Sequence, residues 1–209
     1  MKLIYLHGFA SGPMSGKAQF FRRRLAESGL ELRIPDLSEG NFEGLTLSSQ
    51  LQVVERAAGA GEDIRLMGSS MGGYLAALYA ARHPEVSRLV LMAPAFGFAR
   101  RWPLSLGAEK TAEWRRTGFL PVYHYAEKKD SRVGYALLED GQQYEDYPEV
   151  RQPALIFHGR QDDVVPCRYS EEFATLHSGV TLRIMESGHE LINVLEEMWL
   201  EARPFLVGP

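Results

Sequence analysis

Six short apolar runs typical of β-strands constrain the fold of this chain more than any other feature. They span residues 3–6, 32–34, 64–67, 89–92, 155–157 and 182–185. Between most of them, apolar residues recur on one helical face, as at Leu47, Leu51 and Val54. Strands that alternate with amphipathic helices are typical of a parallel sheet covered by helices. The sequence therefore predicts an α/β fold of three layers.

One segment, residues 97–150, breaks this alternation. It contains five of the nine tyrosines, together with Trp102, Trp114 and Phe119. Aromatic and amphipathic side chains of this kind suit a partly wet surface over a pocket, which favours a small lid or cap. An ordinary segment of helices and strands that packs into the core explains the pattern equally well.

Length and charge limit the classes of protein that the chain can belong to. With 209 residues, 45% of them hydrophobic, it can bury one sizeable core, and we expect a single domain over residues 1–209. A formal net charge of −4 provides no basic field for a nucleic acid or an anionic membrane. We therefore expect a small-molecule partner and no nucleic acid.

The cellular compartment is indicated by two features. The apolar start of the chain breaks at His7, too early for a signal peptide, and no stretch is long enough to span a bilayer. The only cysteine, Cys167, cannot form an internal disulfide, which suits a reducing compartment. The sequence predicts a cytoplasmic protein without a membrane span.

Residues 68–73 carry the pattern G-x-S-x-G directly after the third apolar run. Ser70 lies between Gly68 and Gly72, and a helix of small residues follows. A serine at the apex of a sharp strand-to-helix turn has a strained backbone, and side chains two positions away would collide, so both flanks need glycine. The turn directs the hydroxyl out of the carboxyl edge of the sheet, next to the positive end of the helix. Ser70, rather than Ser69, is the candidate nucleophile.

A nucleophilic serine needs a neighbouring imidazole to take its proton. Of the six histidines, His189 lies in the loop between the last strand and the last helix, at the same sheet edge as Ser70. His189 is therefore the candidate base. His7 and His158 end apolar strands and precede glycine, which indicates buried, hydrogen-bonded structural positions. The remaining histidines are interpreted as surface or capping residues: His83, His124 and His177.

A carboxylate must hold the imidazole in the correct tautomer. The loop after the fifth apolar run supplies two candidates, Asp162 and Asp163. Spacing alone allows either carboxylate to reach His189, and the other is then a turn or surface residue. The resulting chain order of Ser, Asp and His is expected when the nucleophile follows a central strand of this architecture.

Attack on a carbonyl creates an oxyanion that needs about two preorganised N–H donors. The backbone N–H of Met71 is one candidate, and that of Phe9, in the glycine-rich loop after the first strand, is the second. Phe9 and Met71 are also expected to form the wall of the acyl site, with Phe96 and Trp102 as further substrate-binding candidates. The loop lacks both G-x-G-x-x-G and a G-K-[ST] ending, so nucleotide binding is not expected.

Together these motifs resemble the α/β-hydrolase fold over nearly the whole chain. Residues 6–9 look like its oxyanion loop, 68–73 like its nucleophile elbow, 158–166 like its acid loop and 188–189 like its base. The register of the acid loop in that family favours Asp162. More narrowly, residues 5–9, 15–18 and 68–74 are similar to small bacterial esterases of the YqiA/YcfP-like group and to acyl-protein thioesterases.

The resemblance implies a carboxylesterase or acyl-thioesterase that uses Ser70, Asp162 and His189 and needs no cofactor. It also implies a mainly parallel sheet of about six strands, without the first two strands of larger relatives. Two alternatives on the same fold stay open, a C–C bond hydrolase or lyase and a noncatalytic binding protein. We expect no metal site, because His7, His158, Asp162 and His189 lack ligand spacing.

Overall fold

The central sheet has six strands, all parallel, as the sequence predicts. This computed structural model describes residues 1–61 and 63–208. The strands are β1 (Lys2–Leu6), β2 (Leu32–Arg33), β3 (Ile64–Ser69), β4 (Val86–Met92), β7 (Ala154–Gly159) and β8 (Val180–Met185). Their spatial order is β2-β1-β3-β4-β7-β8, so β3 lies between β1 and β4 in the middle of the sheet.

Helices cover both faces of this sheet. On one face lie α1 (Gly16–Ala26) and α8 (Leu195–Val207), and on the other lie α2 (Leu47–Ala58), α3 (Met71–Ala80) and α7 (Arg168–Leu176). Successive side chains of a strand point to opposite faces, so Ile4 and Leu6 join one hydrophobic cluster while Leu3 and Tyr5 join the other. The predicted three-layer α/β architecture is confirmed.

Residues 97–150 form α4 (Phe98–Leu106), α5 (Ala108–Thr117), an antiparallel hairpin of β5 (Phe119–His124) and β6 (Lys129–Gly134), and α6 (Ala136–Gly141). Trp114 of α5 is buried, and its indole N–H donates to the carbonyl of Val133 at 3.1 Å. The turn of the hairpin lies against the loop after β1, where the N–H of Ala126 donates to the carbonyl of Ala10 at 3.3 Å. The segment therefore both extends the core and covers one of the loops at the sheet edge.

The apolar run at the start of the sequence is buried in the central sheet. The run at the start of the chain forms β1, whose residues 3–6 are buried. Within the part of the chain that the structure describes, no helix combines the length and apolarity needed to cross a membrane. The cytoplasmic location stays a prediction from the sequence.

Because the strands are parallel, their carboxyl ends meet at one edge of the sheet. The loops that follow β1, β3, β7 and β8 leave the sheet at this edge, and they carry the predicted site residues. The same loops are held together by close backbone packing: a Cβ added to Gly159 would lie 2.4 Å from the carbonyl oxygen of Ser187. This packing brings the acid loop next to the base loop.

Candidate active site

Ser70 occupies the turn between β3 and α3 in a left-handed backbone conformation, with φ 54° and ψ −118°. Such a conformation is unfavourable for a residue with a side chain. Three backbone hydrogen bonds hold it in place. The N–H of Ser70 donates to Met92 at 2.8 Å, and its carbonyl accepts from Ala95 at 3.0 Å and from Tyr74 at 3.1 Å. The turn is therefore fixed by the strand β4 and its following loop as well as by α3.

The two flanking glycines are required by backbone contacts. A Cβ at Gly68 would lie 2.3 Å from the carbonyl oxygen of Gly72, and a Cβ at Gly72 would lie 2.1 Å from that of Leu6. Real Cβ atoms do not approach backbone this closely. The sharp turn and its contact with β1 both depend on the absence of these side chains.

Replacement of Gly72 by alanine is expected to destabilise the protein by about 3 kcal/mol or more, because β1 or α3 must shift to accept the new methyl group. Urea unfolding measures the change. The control is Gly16→Ala, since a Cβ at Gly16 meets nothing within 4 Å. That variant should stay within about 0.5 kcal/mol of wild type. Equal unfolding midpoints for wild type and Gly72→Ala would show that this contact does not constrain the turn.

A continuous chain of hydrogen bonds joins the three side chains that the sequence singled out. The Nε2 atom of His189 lies 3.0 Å from the Oγ atom of Ser70, and its Nδ1 atom lies 2.7 Å from Oδ2 of Asp162. Since an ionised carboxylate can only accept, Nδ1 carries the hydrogen and Nε2 is free to accept the hydroxyl proton of Ser70. This is the tautomer that a general base needs.

The side chain of Asp162 is fully buried, and its other oxygen is also paired. Oδ1 accepts the backbone N–H groups of Val164 and Val165, at 2.9 and 2.7 Å. Burial raises the pKa of Asp162, but hydrogen bonds from His158 and His189 outweigh it and hold the pKa well below its ordinary value. Asp162 is therefore an anion behind His189, whereas the neighbouring Asp163 is exposed.

The loop after β1 lies directly beside the nucleophile. A Cβ added to Gly8 would come within 3.4 Å of the Cβ of Ser70. His7 anchors this loop: its Nε2 accepts the backbone N–H of Leu37 at 3.1 Å, and its Nδ1–H donates to the carbonyl of Gly8 at 3.0 Å. Burial lowers the pKa of His7, which agrees with a neutral ring in a structural position.

The two expected oxyanion donors are available. Among the residues that the structure describes, none accepts a hydrogen bond from the backbone N–H of Phe9 or of Met71. Met71 begins α3, so its N–H also lies at the positive end of that helix. Met71 directly follows Ser70 in the chain, and Phe9 directly follows Gly8, the residue of the β1 loop that lies beside Ser70.

Aromatic side chains from two other segments pack against Phe9 in the loop after β1 and form an aromatic cluster with it. The ring of Phe9 lies 5.2 Å from that of Phe42 and 5.3 Å from that of Trp102, measured between centroids. Phe9 and Trp102 are only partly buried, while Met71 is a buried member of the same hydrophobic cluster. Phe9 and Trp102 thus present partly exposed apolar surface, and their contact with an acyl group stays a prediction.

Phe96 does not belong to this wall. Its side chain has no exposed surface and stacks on Phe173 at 4.2 Å, with the rings of Tyr74 and Tyr147 beside it. The expectation that Phe96 contacts substrate is therefore corrected: it packs in the core between α3 and α7. Its position in the loop after β4 resembled that of a site residue, but the side chain turns inward.

Two residues of the aromatic cluster were not identified from the sequence. Phe42 lies in the loop between β2 and α2, where a single phenylalanine among polar residues gives no signal. His124 was interpreted as a surface or capping residue, and it is both buried and a cap. Its ring packs 4.5 Å from Phe42, and its Nδ1 accepts the N–H of Glu127 at 3.2 Å.

Within residues 1–61 and 63–208, no three His, Cys, Asp or Glu side chains are grouped so that they could hold a metal ion. His7, His158 and His189 each have a hydrogen-bond partner within the protein.

Comparison with known families assigns the chain. Residues 2–203 match the model of an uncharacterised protein family, UPF0227. The chain belongs to the UPF0227 family. This is the group that the motifs around residues 5–9, 15–18 and 68–74 indicated.

Solved structures show that this UPF0227 protein has the α/β-hydrolase fold. It is similar to α/β-hydrolase domain-containing protein 10 from mouse, with a TM-score of 0.82, 20% identity and coverage of 97% of this chain and 88% of that one. The corresponding values for Est1E from Butyrivibrio proteoclasticus are 0.72, 21%, 99% and 88%. For a monoacylglycerol lipase from Paleococcus ferrophilus they are 0.76, 17%, 98% and 93%. At these identities the shared property is the fold.

Proposed function

We propose that this UPF0227 protein is a serine hydrolase that cleaves carboxylic esters or thioesters through an acyl-enzyme. The observation that carries the proposal is the hydrogen-bonded chain from Ser70 through His189 to the buried anion Asp162. It places a nucleophile, a base and an orienting carboxylate in the order that acyl transfer needs.

The first half of the reaction forms the acyl-enzyme. Ser70 Oγ attacks the substrate carbonyl carbon while its proton passes to Nε2 of His189. The N–H groups of Phe9 and Met71 stabilise the oxyanion, and Asp162 stabilises the imidazolium. His189 then gives the proton to the leaving oxygen or sulfur as the bond to the acyl carbon breaks.

The second half releases the acid. Water attacks the acyl carbon and loses a proton to His189, which returns it to Ser70 Oγ as the acyl–serine bond breaks. Each proton that His189 accepts is handed on, so the site returns to its starting state. No redox partner is consumed in either half.

The known proteins favour a carboxylic acid derivative as substrate. A structure of Est1E has ferulic acid bound, and the lipase from Paleococcus ferrophilus is named for monoacylglycerols. In this chain, Phe9 lies in the loop beside Ser70, and its partly exposed ring forms an apolar surface with that of Trp102, 5.3 Å away. An apolar acyl group packed there would place its carbonyl carbon next to the nucleophile.

The proposal is tested with a fluorophosphonate probe and an acyl panel. One equivalent of probe should attach to Ser70 of the folded protein, and unfolding in urea beforehand should abolish the labelling. Nitrophenyl esters and acyl-thioesters of increasing chain length should be hydrolysed, with a preference for short to medium acyl groups. A folded protein that does not react with the probe would favour a noncatalytic binding protein.

A further inference from the structure

A second histidine contacts the anion behind His189. His158, at the end of β7, is fully buried, and its Nε2 lies 3.1 Å from Oδ2 of Asp162 and 2.7 Å from the carbonyl oxygen of Val165. Its Nδ1 lies 2.7 Å from the hydroxyl of Ser170, which is itself fully buried on α7. The series of side-chain contacts that starts at Ser70 therefore extends past Asp162 to His158 and Ser170.

The protonation state of His158 follows from these partners. A carboxylate and a carbonyl can only accept, so the Nε2 atom that faces both must carry a hydrogen. Among the residues described, His158 is the only hydrogen-bond partner of the Ser170 hydroxyl. The hydroxyl therefore donates to Nδ1, and His158 is a neutral ring in the Nε2–H tautomer.

This arrangement surrounds the carboxylate of Asp162 with N–H donors. Oδ1 has the N–H groups of Val164 and Val165, and Oδ2 has Nδ1–H of His189. The Nε2–H of His158 donates to the carbonyl of Val165 at 2.7 Å, with Oδ2 on the same side of the ring, 3.1 Å from Nε2. A carboxylate offers about four acceptor positions, and a buried one needs them satisfied to stay ionised. Oδ2 thus lies between two imidazole rings, 2.7 Å from Nδ1 of His189 and 3.1 Å from Nε2 of His158.

We propose that His158 is a positioning residue for the reaction, with Ser170 setting its tautomer. His158 holds the Asp162 carboxylate ionised and aligned on His189, and it never touches the substrate. The inference rests on the proposed serine hydrolase function. It assigns a role in acyl transfer to a histidine that its burial alone would identify as structural.

Other charged groups interact electrostatically with the Asp162 carboxylate, and these groups must be unchanged in the variants that are compared. The positive charges of Lys17 on α1 and Arg101 on α4 both interact with the carboxylate of Asp162. Arg101 also donates a hydrogen bond to the carbonyl of Val164 at 2.6 Å. His189 faces Asp162 from the base loop. A substitution of His158 leaves all three in place, so a change in the pH profile reports on the donor that was removed.

The test compares variants of His158 with and without a donor toward Asp162. His158→Phe keeps an aromatic ring but has no N–H, and it should lower kcat about 10- to 100-fold with little change in KM. The hydrogen bond from His158 is one of the causes that lower the pKa of Asp162, so its loss raises that pKa. Protonation of Asp162 removes the anionic partner of His189, and the acidic limb of the kcat/KM profile should therefore move to higher pH. His158→Gln, whose longer amide reaches Oδ2, should recover most of the loss.

One control variant and one substitute variant complete the test. His177→Gln should keep the wild-type profile, because the ring of His177 contacts the carbonyl and the ring of Phe173 and no residue of the candidate site within the described part of the chain. If His158→Phe does not fold, His158→Asn replaces it, because asparagine can reach toward Ser170 but is too short for Asp162. A folded Phe or Asn variant with the wild-type kcat and acidic limb would overturn the inference. Wild-type protein without activity would instead overturn the proposed function.

Discussion

Replacement of Ser70 by alanine is expected to reduce kcat/KM for a nitrophenyl ester at least thousandfold, an order of magnitude taken from triad knockouts. The loss has one physical source, since alanine lacks the oxygen that attacks the carbonyl. Alanine keeps the Cβ that Ser70 already carries at φ 54°, so the strained turn and its three backbone hydrogen bonds are unchanged. The variant should bind substrate but not turn it over, and steady-state kinetics measure the difference.

The matched control is Ser69→Ala, one position earlier. Ser69 is buried and Ser70 is half-buried, but only the hydroxyl of Ser70 forms a hydrogen bond with His189. The control should stay within a few-fold of wild type, and circular dichroism with thermal melts should show that both variants fold. Equal rates for wild type and Ser70→Ala would remove the acyl-enzyme mechanism.

The features that the sequence predicted well are those fixed locally by the backbone. The glycines on either side of Ser70 are required because a Cβ added there would lie 2.3 Å from a carbonyl oxygen of the turn or 2.1 Å from one of β1, so a short motif encodes the turn. The apolar runs are strands because a parallel sheet buries both faces, which leaves continuous apolar stretches in the sequence. Local rules of this kind need no knowledge of distant residues.

The choice between Asp162 and Asp163 shows where spacing stops being informative. The side chains of adjacent residues point in different directions, and which one points inward depends on the conformation of the turn. Here Oδ1 of Asp162 accepts two backbone N–H groups, while Asp163 faces solvent. Only the resemblance to the acid loop of the α/β-hydrolase family favoured Asp162 in advance. The contact from His158 was also hidden, because the residue lies four positions before Asp162 and reads as the buried end of a strand.

The contacts among aromatic side chains of distant segments were not predicted. Phe42 and Trp102 meet around Phe9 because the loop after β2 and the helix α4 both fold over the loop after β1. Phe96 turns into the core because Phe173 of α7 offers a ring to stack on. Each outcome depends on the packing of elements that lie far apart in the sequence, so residue type alone does not decide which aromatic ring faces substrate.

The exchange of Asp162 for asparagine is expected to lower kcat by about 10⁴-fold, the scale seen when a triad carboxylate becomes an amide. The N–H groups of Val164 and Val165 hold one oxygen of the side chain, so the amide oxygen should stay with them. The NH₂ group then faces Nδ1 of His189. A ring that accepts at Nδ1 carries its hydrogen on Nε2, and it cannot take the proton of Ser70.

Asp163→Asn separates this tautomer effect from a general loss of negative charge in the loop. Both variants remove one charge and preserve side-chain size, but only Asp162 lies 2.7 Å from Nδ1 of His189. Asp163→Asn should keep kcat within about threefold of wild type, because its carboxylate is exposed and screened by solvent. Kinetics at pH 7 with one ester substrate compare the two. A greater loss in Asp163→Asn than in Asp162→Asn would show that the acid of the mechanism is misassigned, since the hydrogen bond to His189 would then contribute less than a charge in solvent.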